Sequence, residues 1–314
     1  MTIVTLTLNP ALDQTVRLTD ALQPGEVQRA DEQRTDAAGK GVNVARTIAA
    51  AGSSVIAVLP LAEDDPYGPL LRSTGLVIRA VPVNARVRTN LTLTSPGGET
   101  TKINLPGGAL DDAELDAIIA VVIAAARGAE WLVLAGSLPP GVPEDVYARI
   151  AAAVRASITP APRIAVDTAG PALAAAVHAS AGGRPDLIKP NEDELAELVG
   201  AASLSGAEEV AAAATELVRA GVANVLVTLG GDGAILADTA GALATPAPRI
   251  RVSSTVGAGD SALAGYLLAD TAGAGREERL RQAIRYGSAA ATLPGTQPPS
   301  PADLGTDHLP VRTL

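Results

Sequence analysis

Two kinds of segment alternate along this chain, and that alternation constrains its fold more than any other feature. Short β-branched runs lie at Ile3 to Leu8, Val55 to Leu59, Trp131 to Ala135, Arg163 to Val166, Leu187 to Ile188 and Val225 to Leu229. Long Ala-rich stretches with helical spacing separate them, at Val42 to Ala51, Asp111 to Arg127, Pro143 to Ala156, Ala207 to Ala220 and Ala258 to Asp270. A helix between two strands returns the chain to the same edge, so the next strand is laid down parallel to the last. The expectation is an α/β chain of three layers, α/β/α, with a mostly parallel central sheet covered by helices on both faces. Phe is absent and aromatics make up only 2%, so Leu, Val, Ile and Ala must fill the core. Ala-rich helices then lie close against aliphatic strands.

Two segments break the rhythm, at about 13–36 and 86–105. Both are polar, and the second turns at Ser95 to Gly98 as a two-stranded hairpin. They predict a small, separate antiparallel sheet that acts as a lid or an interface. A chain of 314 residues makes one large or two small domains. With no internal repeat and no low-complexity linker, a single domain over 1–314 is expected, with the Pro-rich stretch from Pro294 to Pro301 as surface loop.

Charge and composition exclude several functions. The net charge is −10, and the pI of about 4.8 argues against an electrostatic grip on nucleic acid or on an anionic membrane surface. The apolar run from Ala117 to Ala126 stops at Arg127, short of the roughly 20 residues a membrane-spanning helix needs. Met1 to Pro10 alternates without a basic stretch ahead of an apolar run, which reads as a strand and not as a signal peptide. No Cys is present, which removes disulfides, thiolate metal sites and Cys nucleophiles and is compatible with a cytoplasmic protein.

The richest stretch for chemistry is Ser253 to Leu267. A strand is expected to end near Val252 and a helix to begin at about Asp260, so the N–H groups of Gly257, Ala258, Gly259 and Asp260 form an anion site. Asp260 as a simple helix N-cap is the competing reading. Gly257 to Ala262 also satisfies the G-x-G-x-x-A dinucleotide fingerprint, which keeps a Rossmann oxidoreductase in view. Against it, Asp260 would face the pyrophosphate, and the motif does not follow the first strand. A Walker A loop fails because Gly39-Lys40 is followed by Gly41.

Gly39, Lys40 and Asn43 lie in a second glycine cluster, which with Asn9 to Asp13 sets a carboxylate, an amide and an ammonium around one cleft. Arg88 and Asn90, like Lys102 and Asn104, alternate so that each pair shares a strand face. Lys189, Asn191 and Glu194 lie where a strand passes into a helix; Asn191 and Glu194 read either as a capping box or as groups holding the waters of Mg²⁺. Thr228 to Gly233 is a glycine turn suited to a nucleotide or to a hairpin. His178 and His308 are isolated.

In order, Asn9 to Asp13, Gly39 to Asn43, Lys102 to Gly107, Ala135 to Gly141, Lys189 to Glu194, Leu229 to Gly233 and Gly257 to Asp260 resemble the PfkB branch of the ribokinase-like carbohydrate kinases. Within it the 1-phosphofructokinase and tagatose-6-phosphate kinase group is the nearest match. The resemblance implies a ribokinase-like fold with a β-lid that builds a homodimer. It implies Asp260 as catalytic base with Gly257, Ala258 and Gly259 as anion hole. It implies a sugar-phosphate site from Asp13, Gly39, Lys40, Asn43, Arg88, Asn90, Lys102 and Asn104. ATP and Mg²⁺ would lie on Lys189, Asn191, Glu194, Thr228, Gly230 and Gly233, with Ser288 near the adenine and Asn191 and Glu194 holding the metal through water. A K⁺ requirement stays open.

The chain departs from the group at Ala38, where a first glycine is usual, and in a short stretch between Leu71 and Val81. Lys40, Arg88 and Lys102 favour a phosphorylated sugar over an uncharged one. The wording of Trp131 to Gly141 and of Thr292 to Thr296 is most like the 1-phosphofructokinases, implying fructose 1-phosphate, with tagatose 6-phosphate and fructose 6-phosphate as alternatives. A sugar-binding regulator that has lost its catalysis is a further alternative, which the retained Asp260 opposes.

Overall fold

The structure, a computed structural model, describes residues 2–97 and 99–314. In chain order the first half holds β1 (Thr2–Leu6), β2 (Ala11–Leu18), β3 (Ala30–Ala38), α1 (Lys40–Ala50), β4 (Ser54–Leu61), α2 (Tyr67–Ser73), β5 (Val77–Pro82), β6 (Arg88–Thr94), β7 (Thr100–Asn104), α3 (Asp112–Ala125), β8 (Trp131–Ala135) and α4 (Val146–Ser157). There follow β9 (Arg163–Asp167), α5 (Gly170–Val177), β10 (Leu187–Ile188), α6 (Glu192–Leu198), α7 (Gly206–Arg219), β11 (Asn224–Thr228), β12 (Ala234–Asp238), β13 (Gly241–Thr245), α8 (Ala258–Thr271), α9 (Arg276–Thr292) and β14 (Arg312–Thr313).

Ten strands form the main sheet in the order β14-β13-β12-β11-β10-β9-β8-β1-β4-β5. From β5 to β11 every pairing is parallel, and β12, β13 and β14 add an antiparallel edge. The parallel strands are buried on both faces, which is why they are near-continuous apolar runs. Their side chains still divide by parity. In β8, Trp131, Val133 and Ala135 join the core under α1, α2, α8 and α9, whereas Leu132 and Leu134 join the core under α3 to α7. The three-layer expectation holds.

Helix ends follow local chemistry. Asp111 caps α3 and Asn191 caps α6, each by a reciprocal capping box with the Glu three residues on. The seven residues of α2 occupy part of the stretch that is short for the group. The sequence reading did not anticipate β5 or α9, and of the antiparallel edge it offered only a hairpin at Thr228 to Gly233. The edge strands Ala234–Asp238 and Gly241–Thr245 are Ala-rich, and helix α9 carries seven charged or amide residues in its first ten, which obscures both periodicities.

Four strands form the small sheet in the order β3-β2-β6-β7. It is mixed, which corrects the antiparallel expectation, because β2 pairs in parallel with β6. These two strands are joined through α1, β4, α2 and β5 of the main body, and so long a crossover permits parallel pairing. The hairpin β6–β7 is present; of its expected turn, Gly98 lies outside the described residues. Another correction concerns Val252. No strand ends there, since β13 stops at Thr245 and the chain to Gly257 is loop, with Val252 58% exposed and Ile250 37% exposed. Pro246 and Pro248 cannot donate to a ladder and interrupt any strand. The Pro294 to Pro301 stretch is not all surface, for Thr296 is buried and accepts from Arg46 Nη1 at 3.3 Å.

The closest packing is between α8 and α9. A Cβ at Gly265 would overlap the Gln282 carbonyl and lie 2.9 Å from Tyr286 Cβ. Gly265→Ala is therefore expected to cost about 1–3 kcal/mol, the usual penalty of overpacking, and to lower the thermal midpoint by calorimetry. An unchanged midpoint would show that the two helices separate freely.

Candidate active site

From β1 the chain winds outward to β4 and β5 on one side and later to β8, β9, β10 and β11 on the other. Where strand order reverses, the helices leave on opposite faces and a crevice opens beyond the carboxyl ends of the strands. Those ends deliver Asn9, Gly136, Asp167, Lys189 and Thr228 to one rim. Helices α1 and α8 point their N-termini into the same crevice. The cavity there encloses about 690 Å³.

At its centre four charged side chains meet. Lys40 is the first residue of α1, and its Nζ lies 2.7 Å from Asp167 Oδ1. Lys189 Nζ lies 3.4 Å from the other oxygen of the same carboxylate. Asn43, one turn along α1, donates from Nδ2 to Asp260 Oδ2 at 2.8 Å. The facing turns of α1 and α8 are held by Thr47 and Ser261, whose hydroxyls are 3.2 Å apart. Two glycines make the approach feasible. Gly39 has φ +127°, and a Cβ there would sit 2.8 Å from Thr7 Cγ2. A Cβ at Gly259 would lie 3.2 Å from Lys189 Nζ, so the bare backbone gives that ammonium its seat beside the first turn of α8.

The electrostatics follow from burial and neighbours. Burial, helped by the Asp167 carboxylate, pushes Asp260 up to about 6, against the pull of Lys40, Asn43 and Lys189. Asp167 is wholly buried, which alone would raise it, yet Lys189 and Lys40 hold it below the ordinary carboxylate value. Burial alone would lower Lys40, but the carboxylates of Asp167, Asp260 and Glu194 together raise it. At neutral pH Asp260 is thus ionised with a proton affinity well above that of a free carboxylate. The first N–H groups of α8 have no intrahelical partner, so the turn Gly257 to Asp260, in which Ala258 N–H reaches the Thr255 carbonyl only at 3.4 Å, presents donors and the positive end of a helix dipole beside it.

One wall of the cavity is the small sheet. Asp13 is paired with Asn90, and Asn90 with Asn104, while Thr92 is paired with Lys102, so Asp13, Arg88, Asn90, Lys102 and Asn104 share a face. Asn90 Nδ2 donates to Asp13 Oδ1 at 2.9 Å. Burial raises Asp13 and lowers Arg88. Asp13, Gly39, Lys40, Asn43, Arg88, Asn90 and Lys102 line the cavity as expected. Asn104 is not among the lining residues: it is exposed at the end of the outermost strand, opposite Asn90.

The opposite wall carries Lys189, Asn191, Glu194, Thr228, Gly230, Gly233 and Ser288, all of which line the cavity. Asn191 Oδ1 accepts from Glu194 N at 2.7 Å, and Glu194 Oε2 accepts from Asn191 N at 2.9 Å, so the capping-box reading holds. Glu194 Oε1 is outside that exchange. Gly230 to Gly233 turns the hairpin β11–β12 and at the same time faces the cavity; a Cβ at Gly233 would overlap the Thr245 carbonyl. Ile250, Val252 and Val256 add an apolar strip.

Sequence reasoning missed Asp167, the centre of the charge cluster. Its signal was an acid at the carboxyl end of the apolar run Arg163 to Val166, the place where parallel strands present ligand-binding groups. It also missed the cavity of about 370 Å³ that continues from Lys40, Arg88 and Glu194 to Asn9, Ser137, Glu144 and Thr168. Among the described residues no group of three acidic, His or Cys side chains could ligate a metal directly. No helix is long and apolar enough to cross a membrane among those residues. The fingerprint Gly257 to Ala262 follows a loop, not a strand, so the dinucleotide reading lacks its structural context.

Comparison with known proteins agrees with this geometry. The model of the pfkB family carbohydrate kinases matches residues 6–303. A 1-phosphofructokinase of Rhodobacter capsulatus is 37% identical over 306 residues, covering 96% of this chain and 94% of that protein. The ATP-dependent 6-phosphofructokinase isozyme 2 of Escherichia coli K12 is 36% identical, covering 94% of each. The crystal structure of phosphofructokinase-2 from Escherichia coli with substrates and products superimposes with a TM-score of 0.87 at 34% identity, over 96% of this chain and 97% of that one. A structure of the same enzyme is of its complex with potassium. The ribokinase of Thermotoga maritima, 21% identical over 96% of this chain and 97% of that one, shares the fold with a TM-score of 0.76.

The raised proton affinity of Asp260 has a cost in stability. A carboxyl whose value in the fold lies above the ordinary 3.8 opposes folding when ionised, so its contribution is present at low pH and lost as pH rises through about 6. Asp260→Asn removes that ionisation and keeps an oxygen for Asn43. Its thermal midpoint should exceed the parent's at about pH 7.5 and converge with it towards about pH 4. A lower midpoint at the higher pH would contradict the assigned direction.

Proposed function

Because the chain belongs to the pfkB family of carbohydrate kinases and is an ATP-dependent sugar-phosphate kinase, we propose that its cleft phosphorylates fructose 1-phosphate to fructose 1,6-bisphosphate. One observation carries the assignment of roles. Asp260 lies between a wall rich in cations and amides and a wall of glycine turns, beside the N-terminus of α8. A sugar phosphate on the first wall brings its free hydroxyl to Asp260, and a nucleotide on the second brings its terminal phosphoryl group to the same point.

Asp260 takes the proton of the attacking hydroxyl. Oxygen then bonds to the γ-phosphorus as the bond to the β,γ-bridging oxygen breaks, and ADP leaves. The N–H groups of Gly257, Ala258, Gly259 and Asp260, with the ammonium of Lys189, stabilise charge on the transferring phosphoryl. Asp13, Gly39, Asn43 and Asn90 hold sugar hydroxyls, and Lys40, Arg88 and Lys102 answer its phosphate. Thr228, Gly230, Gly233 and Ser288 line the nucleotide. Glu194, with one oxygen outside the capping box, and Asn191 beside it suit Mg²⁺ held through water, since that ion keeps several waters and binds few carboxylates. The metal supplies charge neutralisation on the phosphates. A monovalent cation such as K⁺ belongs to the same proposal.

The other face of the small sheet supports a homodimer. Ile103 on the edge strand β7 and Leu105 just past its end are 48% and 49% exposed, and Leu91 is paired with Ile103. An uncovered apolar edge of this kind calls for a partner, and a second copy is the one that closes it by symmetry. A cytoplasmic setting accompanies this reading.

The deciding assay is coupled ADP release with ATP and Mg²⁺ on fructose 1-phosphate, fructose 6-phosphate, tagatose 6-phosphate and fructose. Preference for fructose 1-phosphate is expected; preference for a 6-phosphate would replace the substrate and keep the mechanism. Asp260→Asn should lower kcat by roughly 10² to 10⁴, with nucleotide affinity retained by calorimetric titration. The acid limb of kcat/KM should fall as pH drops through about 6, as Asp260 takes its proton. A profile flat down to about pH 5 would exclude Asp260 as the base.

A further inference from the structure

Two buried polar side chains close to the cleft play no part in the mechanism above. Asp65 is 4% exposed and Tyr67, in the first turn of α2, is fully buried. Neither faces the cavity. Burying a carboxylate and a phenol without partners is costly, so the groups that satisfy them indicate what they are for.

Each bond but one reaches across the chain. The Tyr67 hydroxyl donates to the carbonyl of Ala38 at 2.8 Å, 29 residues away. Asp65 Oδ2 accepts the N–H of Val87 at 2.7 Å, 22 residues away. Asp65 Oδ1 accepts the N–H of Tyr67 at 2.8 Å and so locks the two side chains into one turn. Local capping of α2 accounts only for the last.

The two distant partners are the junctions through which the small sheet leaves and re-enters the main body. Ala38 ends β3 and is followed by Gly39, whose positive φ turns the chain so that Lys40 meets Asp167. Val87 precedes Arg88, the first residue of β6; two residues on, Asn90 holds Asp13. Holding the Ala38 carbonyl fixes the approach to Gly39 and Lys40. Holding the Val87 N–H fixes where β6 starts, and therefore which residues of β6 stand opposite β2. Ala38 itself, where the group usually has glycine, is fully buried with no left-handed φ, so the position accepts a side chain and the tyrosine supplies the restraint.

We propose that Asp65 and Tyr67 are positioning residues for the sugar-phosphate half of the cleft, tying both junctions of the small sheet to one rigid turn. The proposal rests on the assignment of Gly39, Lys40 and Arg88 to that half. It requires no contact with either substrate. Removal of one tie leaves the nucleotide wall, built on β10, β11 and α6, in place.

The test is steady-state kinetics on Tyr67→Phe, which keeps the ring and deletes the hydroxyl, and on Asp65→Asn, which sets an amide N–H or a weaker acceptor against a backbone donor. Arg88→Ala is measured in parallel as the direct contact. The sugar-phosphate KM should rise about fivefold or more in Tyr67→Phe and in Asp65→Asn, the factor of a lost hydrogen bond, with the ATP KM unchanged. A purely structural role would lower kcat with the loss of folded enzyme, measured by thermal midpoint and active-site titration, and leave both KM values alone; that result would overturn the proposal. If Arg88→Ala leaves the sugar-phosphate KM unchanged, the assignment of the wall itself falls, and the positioning role falls with it. A rise for Arg88→Ala alone would refute the positioning role and preserve the wall. Should Tyr67→Phe fail to fold, Asp65→Asn reads the Val87 tie independently.

Discussion

A carboxylate without access to water must be answered by positive charge, and Asp167, fully buried at the end of β9, sets that demand at the centre of the molecule. Two ammoniums meet it, Lys40 at 2.7 Å and Lys189 at 3.4 Å, from parts of the chain far apart in sequence. Lys40 opens α1, so its attachment seats that helix and brings Asn43, one turn later, to Asp260. Lys189 follows β10 and lies under Gly259, so its attachment supports the turn that carries the anion-binding N–H groups. The pair of lysines thus joins two strand ends and two helix N-termini. Without the carboxylate they would repel one another across the cleft.

The same cluster decides how Asp260 behaves. Burial, with Asp167 beside it, raises its proton affinity, whereas the two lysines and the Asn43 hydrogen bond lower it, and the balance leaves a base ionised at neutral pH yet stronger than a free carboxylate. That balance suits a group required to take a proton from a sugar hydroxyl and to give it up again. It also requires close approach, which explains where glycine is unavoidable. Side chains at Gly39 or Gly259 would enter the space of Thr7 or Lys189, and the cluster would open.

Several parts of this arrangement were legible in the residues. The alternation of aliphatic runs and Ala-rich stretches announced a parallel sheet, because helices spaced between strands leave no other economical connection. The glycine turn at Gly257 to Asp260 and the amide and cation alternation on β6 and β7 marked the centre and one wall of the cleft. Other parts were not. The strands β12 and β13 are short and Ala-rich, so their period of two is faint, and the loop through Ile250 and Val252 imitates a strand because its apolar residues face a cavity instead of a sheet. Asn104 carries the same alternation as Lys102 and stands opposite Asn90 in the register, yet it does not line the cavity, a distinction that alternation alone does not express.

The sequence by itself determined the residue types: which segments are helical or extended, which turns lack side chains, and how many cations and carboxylates are available near them. Those are local properties, set by propensity, periodicity and the freedom of glycine. Tertiary structure decided which of these groups meet. Asp167, Lys40 and Lys189 are separated by more than a hundred residues at one extreme, and their contact depends on the order in which strands enter the sheet. The parallel pairing of β2 with β6, and the reach of Asp65 and Tyr67 to the two junctions of the small sheet, depend on it equally. Strand order follows from packing both faces of one sheet at once, a condition that no single segment expresses.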